Sequence, residues 1–381
     1  MGEWREYVLG ELVRDHNSAR KPVKSVDRVS GSVPYYGASG IVDWVEGFTH
    51  DGSFLLLAED GENLRSRSTP IAFRASGRIW VNNHAHVLSG IEPYDTRFLE
   101  YALAVTDVSG YLTGSAQPKL NRSSMESIRL LLPPRAERKA IAEVLGALDD
   151  KIAANQRTMR LCGELADLNF ARYVRDINYG GETFDDVADI GGGGTPKTTV
   201  DDYWNGDVWW ATPTDVTAAN GPYLYRTART ITESGLAACS SILYPQGSIL
   251  MTSRATIGAF AIAEAPIAVN QGFIVVNAKD VEAQWWLFHE MRSRVDEFVS
   301  HANGATFLEL SRGRFKKLPV RMPIAAHIAA FTAVVEPLHR VAAHAQVESR
   351  SLARTRDQLL PLLMSGKLRV TNAEAAVAEV V

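Results

Sequence analysis

From Pro134 to about Tyr173 the residues Ile141, Leu145, Leu148, Ile152, Asn155, Met159, Cys162 and Ala166 follow one another in steps of four and three. That spacing predicts one long helix with a coiled-coil seam, about 40 residues or roughly 60 Å at 1.5 Å per residue. Asn155 is the polar member of the seam; it either fixes the register of a partner helix or is a tolerated polar position. A second seam runs through Phe331, Val335, Leu338, Ala342, Ala345, Ser349, Leu352, Leu359 and Leu363, in a helix from about Pro323 to Gly366. Small residues in its middle allow close approach, and Pro337 predicts a kink or a break.

Outside these helices the pattern is strand and turn. GSFLLLAEDG is a short apolar run closed by turn residues, and IWVNNHAHVLSG alternates as one half-buried strand. A helical period appears only over Thr96 to Val108 in this first region. GGGGTPKTTVDDYW, GDVWWATPTDV, GSILMTSRATIG and AVNQGFIVVNA supply strands and loops of a second region, its four glycines reading as a flexible turn. The regions repeat: at an offset of 190, GSAQPKLNRSSMESIRLLLPP lies over GATFLELSRGRFKKLPVRMPI without a gap, and GSFLLLAEDG and VNNHAHVL fall over GSILMTSRAT and VNQGFIVV at nearly the same offset.

The expected fold is therefore α/β (α+β): two mixed domains with a pseudo-two-fold repeat, joined by two long antiparallel coiled-coil helices. The segments are 1–133, 134–178 (central helix), 179–322, 323–370 (closing helix) and a frayed tail, 371–381. Such a pair of helices would act as a spacer between the domains.

Composition adds boundaries. With 381 residues and an ordinary 46% of hydrophobic residues, each domain can bury a core. Cys162 and Cys239 are the two cysteines; their separation supports neither a disulfide framework nor a cysteine zinc site, and fits a reducing cytoplasm. The charged start MGEWREYVLG is unlike a signal peptide, and no apolar run approaches a membrane span.

No phosphate-cradling loop, nucleophile elbow, methyltransferase or nuclease motif is present, and no metal or cofactor is expected. His84 and His86, two apart in a strand and so on one face, lack a third ligand. Basic and amide residues are placed more suggestively. Arg312, Arg314, Lys316, Lys317 and Arg321 crowd one stretch against Glu309 alone, and the matching stretch holds Lys119, Asn121, Arg122 and Arg129. These suit phosphate contacts. Ser253, Arg254, Thr256, Asn270 and Gln271 in the second region, with Asn82, Asn83 and His84 in the first, suit base edges; Thr195, Lys197, Thr212, Thr214, Asn63 and Arg65 are further DNA-binding candidates. The competing reading is that they are solvated faces and turn-capping amides; their occurrence in both halves favours function. The acidic AEDGEN loop makes Glu59 to Asn63 weaker candidates than Arg254 and Thr256.

Taken in order, PYYGASGIVDWVEGF, AEDGENL, VNNHAHVL, GGTPKTTVDDYWNGDVWWATPTDV, ITESGL, LMTSRATIG, VNQGF and LLPLLMSGKLRV resemble the specificity subunit of type I restriction-modification systems, over nearly the whole chain. The resemblance implies a non-catalytic subunit whose two target-recognition domains read a bipartite target in double-stranded DNA. It also implies docking of two methyltransferase subunits, with motor-nuclease subunits joining for cleavage. Half-sites about 10 bp apart would lie on one side of the duplex. A hydrolase with a coiled-coil dimerisation arm and a protein-binding adaptor are the alternatives; the first needs activity in the isolated chain, the second no salt-dependent DNA affinity.

Overall fold

The computed structural model describes residues 3–219, 221–304 and 308–378. Residues 305–307 of the repeated string and 379–381 of the tail lie outside the described residues. The chain divides into two compact units, 1–152 with 350–381, and 153–349, so that each unit owns part of both long helices. Among the described residues no helix is long and apolar enough to cross a membrane.

In unit 1 the strands are β1 (Arg5–Val8), β2 (Val13–Asp15), β3 (Ser30–Gly37), β4 (Gly40–Val45), β5 (His50–Ala58), β6 (Ala72–Val81), β7 (Ala85–Gly90) and β8 (Arg129–Leu132). Six of them form one sheet in the order β2-β7-β5-β6-β3-β4, and β1 pairs with β8. The helix Asp95–Val105 buries Phe98, Leu99, Ala102 and Leu103 against it. IWVNNHAHVLSG is two strands rather than one, because Asn82 turns the chain by accepting the His84 N–H at 2.8 Å.

Unit 2 repeats the plan with β9 (Ala188–Gly191), β10 (Trp204–Ala211), β11 (Tyr223–Leu224), β12 (Arg229–Ile231), β13 (Ile249–Thr252), β14 (Phe260–Ala263), β15 (Ile267–Val269) and β16 (Phe273–Ala278). Its strands fall into two sheets, β12-β10-β15 and β11-β14-β13-β16-β9. The cause is Pro266: it stands where unit 1 has Arg78 inside the long β6, and without an N–H it splits the equivalent strand into β14 and β15.

The central helix, Arg135–Val174, and the closing helix, Ala325–Met364, each have 40 residues. Ile141, Leu145, Leu148, Ile152, Leu352, Leu359 and Leu363 lie in the core of unit 1 together with Leu130 and Leu132. In unit 2, Met159 packs with Ala342 and Ala345, and Ala166 with Phe331, Val335 and Leu338. Within each unit the helices run antiparallel: Arg356 reaches Asp149 at 2.8 Å, and Asn155 Nδ2 donates to Glu348 at 2.7 Å. Each fully buried Leu or Phe of these seams contributes roughly 1.5–3 kcal/mol.

Two expectations change. The closing helix passes Pro337 without a break, its seam neighbours Val335 and Leu338 being held on either side of the ring. The expected frayed tail is helical over Val370–Ala378, because Ala373 and Val377 are buried in the core of unit 1.

Candidate nucleic-acid interface

One edge of unit 2 collects the turns that follow its strands. Main-chain bonds stitch them together: Asn270 N–H to Ala211 O at 2.9 Å, Ser253 N–H to Gly272 O at 2.8 Å, Leu310 N–H to Ser253 O at 3.0 Å. The glycine run enters the same rim. It is no flexible turn, since a Cβ on Gly193 would stand 1.8 Å from Val269 O and one on Gly194 2.4 Å from Ser240 Oγ. These glycines serve close packing; the Arg312 guanidinium lies against Gly192, and Thr195 donates to Gln271 Oε1 at 2.7 Å.

The rim thus gathers Thr195, Thr212, Thr214, Ser253, Arg254, Thr256, Asn270, Gln271 and Arg312. Some of them are occupied in holding it. The Thr212 hydroxyl donates to Asp215 at 2.6 Å as a helix cap, Asn270 Oδ1 accepts the Gly272 N–H at 2.8 Å, and Ser253 is buried. Thr214, Arg254, Thr256, Gln271 and Arg312 are exposed, as is Lys197 beyond Thr195. Of the basic stretch, Arg314 donates to His301 at 3.1 Å and Lys316 pairs with Asp185 at 2.8 Å, whereas Lys317 is exposed.

Unit 1 presents the same frame. Asn82 N–H bonds Tyr36 O at 3.1 Å, Glu59 N–H bonds His84 O at 2.8 Å, and Leu120 N–H bonds Glu59 O at 2.7 Å. Paired bridges correspond as well: Asp60 with Lys119 and Thr113 with Lys119 here, Arg254 with Glu309 and Asn303 with Glu309 in unit 2. Arg65, Asn83, His84, Lys119, Asn121 and Arg122 are the exposed candidates, although Arg122 is engaged by Glu126 at 2.8 Å and Asp15 at 3.2 Å. Asn121 caps a short helix by accepting the Ser124 N–H at 2.9 Å. Asn63 clasps its own loop through Thr69, and Arg65 donates to Gly114 O at 3.1 Å.

His84 and His86 do not share a strand face, because His84 precedes β7. His84 is exposed and contacts Asp60 through Nδ1 at 2.8 Å, while His86 is buried with Nε2 donating to Leu120 O at 2.7 Å. Burial holds the His86 pKa below its ordinary value. Among the described residues no three His, Cys, Asp or Glu side chains converge as a metal site requires.

Sequence reasoning gave one pair no role of its own and passed over one group. Asp60 and Glu309 are the acidic members of the matched bridges; the gapless repeat already set Glu309 over Lys119. The other is a buried chain in unit 2, Asp167 to His289 Nδ1 at 2.8 Å, His289 Nε2 to His339 Nε2 at 2.9 Å, and His339 Nδ1 to Tyr223 at 2.7 Å. Its members come from four distant segments, so no spacing announces it. Burial, then the neighbouring His289, pushes the His339 pKa down to about 3.

The sequence model of the type I restriction modification DNA specificity domain matches residues 1–160 and 182–331. A putative type I restriction enzyme specificity subunit from Haemophilus influenzae is 42% identical over 147 residues, 38% of this chain and 37% of that protein. The type I restriction enzyme MjaIX specificity subunit of Methanocaldococcus jannaschii is 38% identical over 142 residues, 36% of this chain and 32% of that protein. The matches thus span about a third of the length of these relatives. A crystal structure of a type I restriction-modification S subunit from M. genitalium superposes with a TM-score of 0.62 at 13% identity, covering 95% of this chain and 96% of that one, and so shares its fold.

Proposed function

The chain belongs to the type I restriction modification DNA specificity domain family, and from that premise we propose that it reads a bipartite DNA target, one half-site with each rim. The observation that carries this reading is the repetition of one main-chain frame whose exposed positions hold Arg, Lys, Thr, Gln, Asn and His. In unit 2, Arg254, Thr256, Thr214 and Gln271 face bases, and Arg312, Lys197 and Lys317 take phosphates. In unit 1, Asn83 and His84 face bases, with Lys119, Arg122 and Arg65 beside them. The caps Asn63, Asn82, Asn121, Thr212 and Asn270 and the buried Ser253 hold the loops in place. The recognition domains comprise residues 1–133 and 179–322, and the long helices count out the gap.

Catalysis is left to partners: two methyltransferase subunits and, for cleavage, motor-nuclease subunits. The exposed Leu161, Leu165 and Leu168, spaced along one face of the central helix, support docking of another protein there. The test is selection from a pool of randomised double-stranded DNA by the full chain, alone and with co-expressed methyltransferase subunits. Enrichment of two short sequences at a constant separation is expected. Salt-independent retention, or no enrichment, would sink the reading.

A further inference from the structure

Among the described exposed side chains of the two rims, Arg254 is the one whose direction is fixed by a charged neighbour across a matched bridge. Its Nη2 lies 2.7 Å from Oε1 of Glu309, both side chains a little under half exposed at 44% and 42%. Main-chain pairing of the same two residues sets the distance between their Cα atoms. Immediately afterwards Ala255 takes a left-handed conformation, φ 59°, which turns the chain sharply just beyond Arg254.

We infer that Arg254 reads a guanine in the half-site of unit 2, and that Glu309 is the positioning residue that aims it. The inference rests on the DNA-binding role proposed above. A guanidinium has five N–H donors in a planar fork. Glu309 occupies one side of that fork and leaves the remainder for two adjacent acceptors. In the major groove guanine offers such a pair, O6 and N7, whereas adenine and cytosine present amino donors and thymine one acceptor beside a methyl group. A phosphate contact would not need the carboxylate, which lowers the local attraction for an anion. Glu309 is thus intelligible where direction counts for more than charge.

Unit 1 lacks this device. At the place of Arg254 stands Asp60, 15% exposed and turned to His84, and at the place of Glu309 stands Lys119. The guanine read by an Arg paired with a carboxylate across this bridge is therefore expected in the half-site of unit 2.

The experiment is selection from randomised double-stranded DNA by the full chain and by Arg254→Ala, Glu309→Gln and Asp60→Asn, read as base frequencies at each position. Circular dichroism on every variant checks that it is folded. Arg254→Ala should lose preference for one guanine, roughly tenfold or more, with the other half-site unchanged. Glu309→Gln should weaken the same guanine and no other position, while Asp60→Asn leaves it intact. If Arg254→Ala lowers affinity for every sequence with all base preferences kept, Arg254 is a phosphate contact and the inference falls. If Glu309→Gln leaves the guanine preference untouched, its positioning role falls. Failure of the unaltered chain to enrich any sequence overturns the DNA-binding reading itself.

Discussion

The turn after β5 carries Glu59 and Asp60, and the turn after β13 carries Ser253 and Arg254; opposite them stand Lys119 and Glu309. Charge is inverted at both places, yet the main-chain bonds through Leu120 and Leu310 are the same. The frame is made of groups that every residue except proline possesses, so the side chains it displays vary without altering it. Where the units do differ in backbone, the reason is local. Pro266 divides a strand that Arg78 leaves whole, and Gly193 and Gly194 press into the packing where Ser18 and Ala19 are exposed.

The largest effect should come from breaking that last difference. Gly193 occupies the place in unit 2 that Ser18 holds in unit 1, counting from the matched strands β9 and β2. A Cβ at Gly193 meets a backbone carbonyl at 1.8 Å, which cannot swing aside as a side chain could. Gly193→Ala should cost about 3 kcal/mol. Ser18→Ala, at an exposed position, should stay within about 0.5 kcal/mol. Urea unfolding of the two variants measures both; equal losses would mean that the rims are not built differently here.

How much of this was legible follows from the range of each signal. The long helices were, because their seams repeat within a few residues, and so was the doubling of the domains, since the string ending in Pro133 and Pro323 aligns without a gap. Of the two readings of Pro337 the break is absent, because a helix held on both sides of the ring tolerates a missing donor, and the tail misled because Ala373 and Val377 look too weak to dock. Among rim residues, Arg254 and Gln271 were recognisable as types, but Asn82 and Asn270 had equal claims until their own turns were found to use them. Asp60 and Glu309 were weighed only as acidic residues that argue against DNA, because their pairing across the bridges could not be read from the sequence.

A second difference separates the interiors. Unit 2 holds the chain from Asp167 through His289 and His339 to Tyr223, and burial lowers the pKa of both histidines, His339 to about 3. Folded, His339 stays neutral down to about pH 3, and His289 resists protonation in the same sense; unfolded, a histidine protonates near 6.5. Below that pH the unfolded state binds more protons, so stability rises with pH and falls as pH drops from 6.5 toward the folded values. At pH 5.5 His339 should subtract about 1.3 kcal/mol relative to neutral pH, and His289 acts in the same direction. Hydrogen exchange at pH 7 and pH 5.5, corrected for intrinsic rates, should show the His339 loss in residues 153–349, beside the one that the buried His50 and His86 bring to unit 1. His339→Phe should be weaker at both values but lose less between them; an unchanged difference would remove His339 from the cause.

The smallest expected effect, less than about 1 kcal/mol as for other exposed charges, sharpens the charge inversion itself. Lys119 is exposed, and at the matched place Glu309 sits half exposed beside Arg254. On DNA of unrelated sequence, where phosphates supply the attraction, Lys119→Ala should weaken binding and reduce the slope of log affinity against log salt by about 0.9. Glu309→Ala should act with the opposite sign, strengthening that non-specific binding because it releases Arg254 to any phosphate within reach. A titration of each variant at several salt concentrations decides the matter. Two changes of the same sign would mean that only one of the two matched places faces the duplex, and the correspondence of the rims would then end at their backbones.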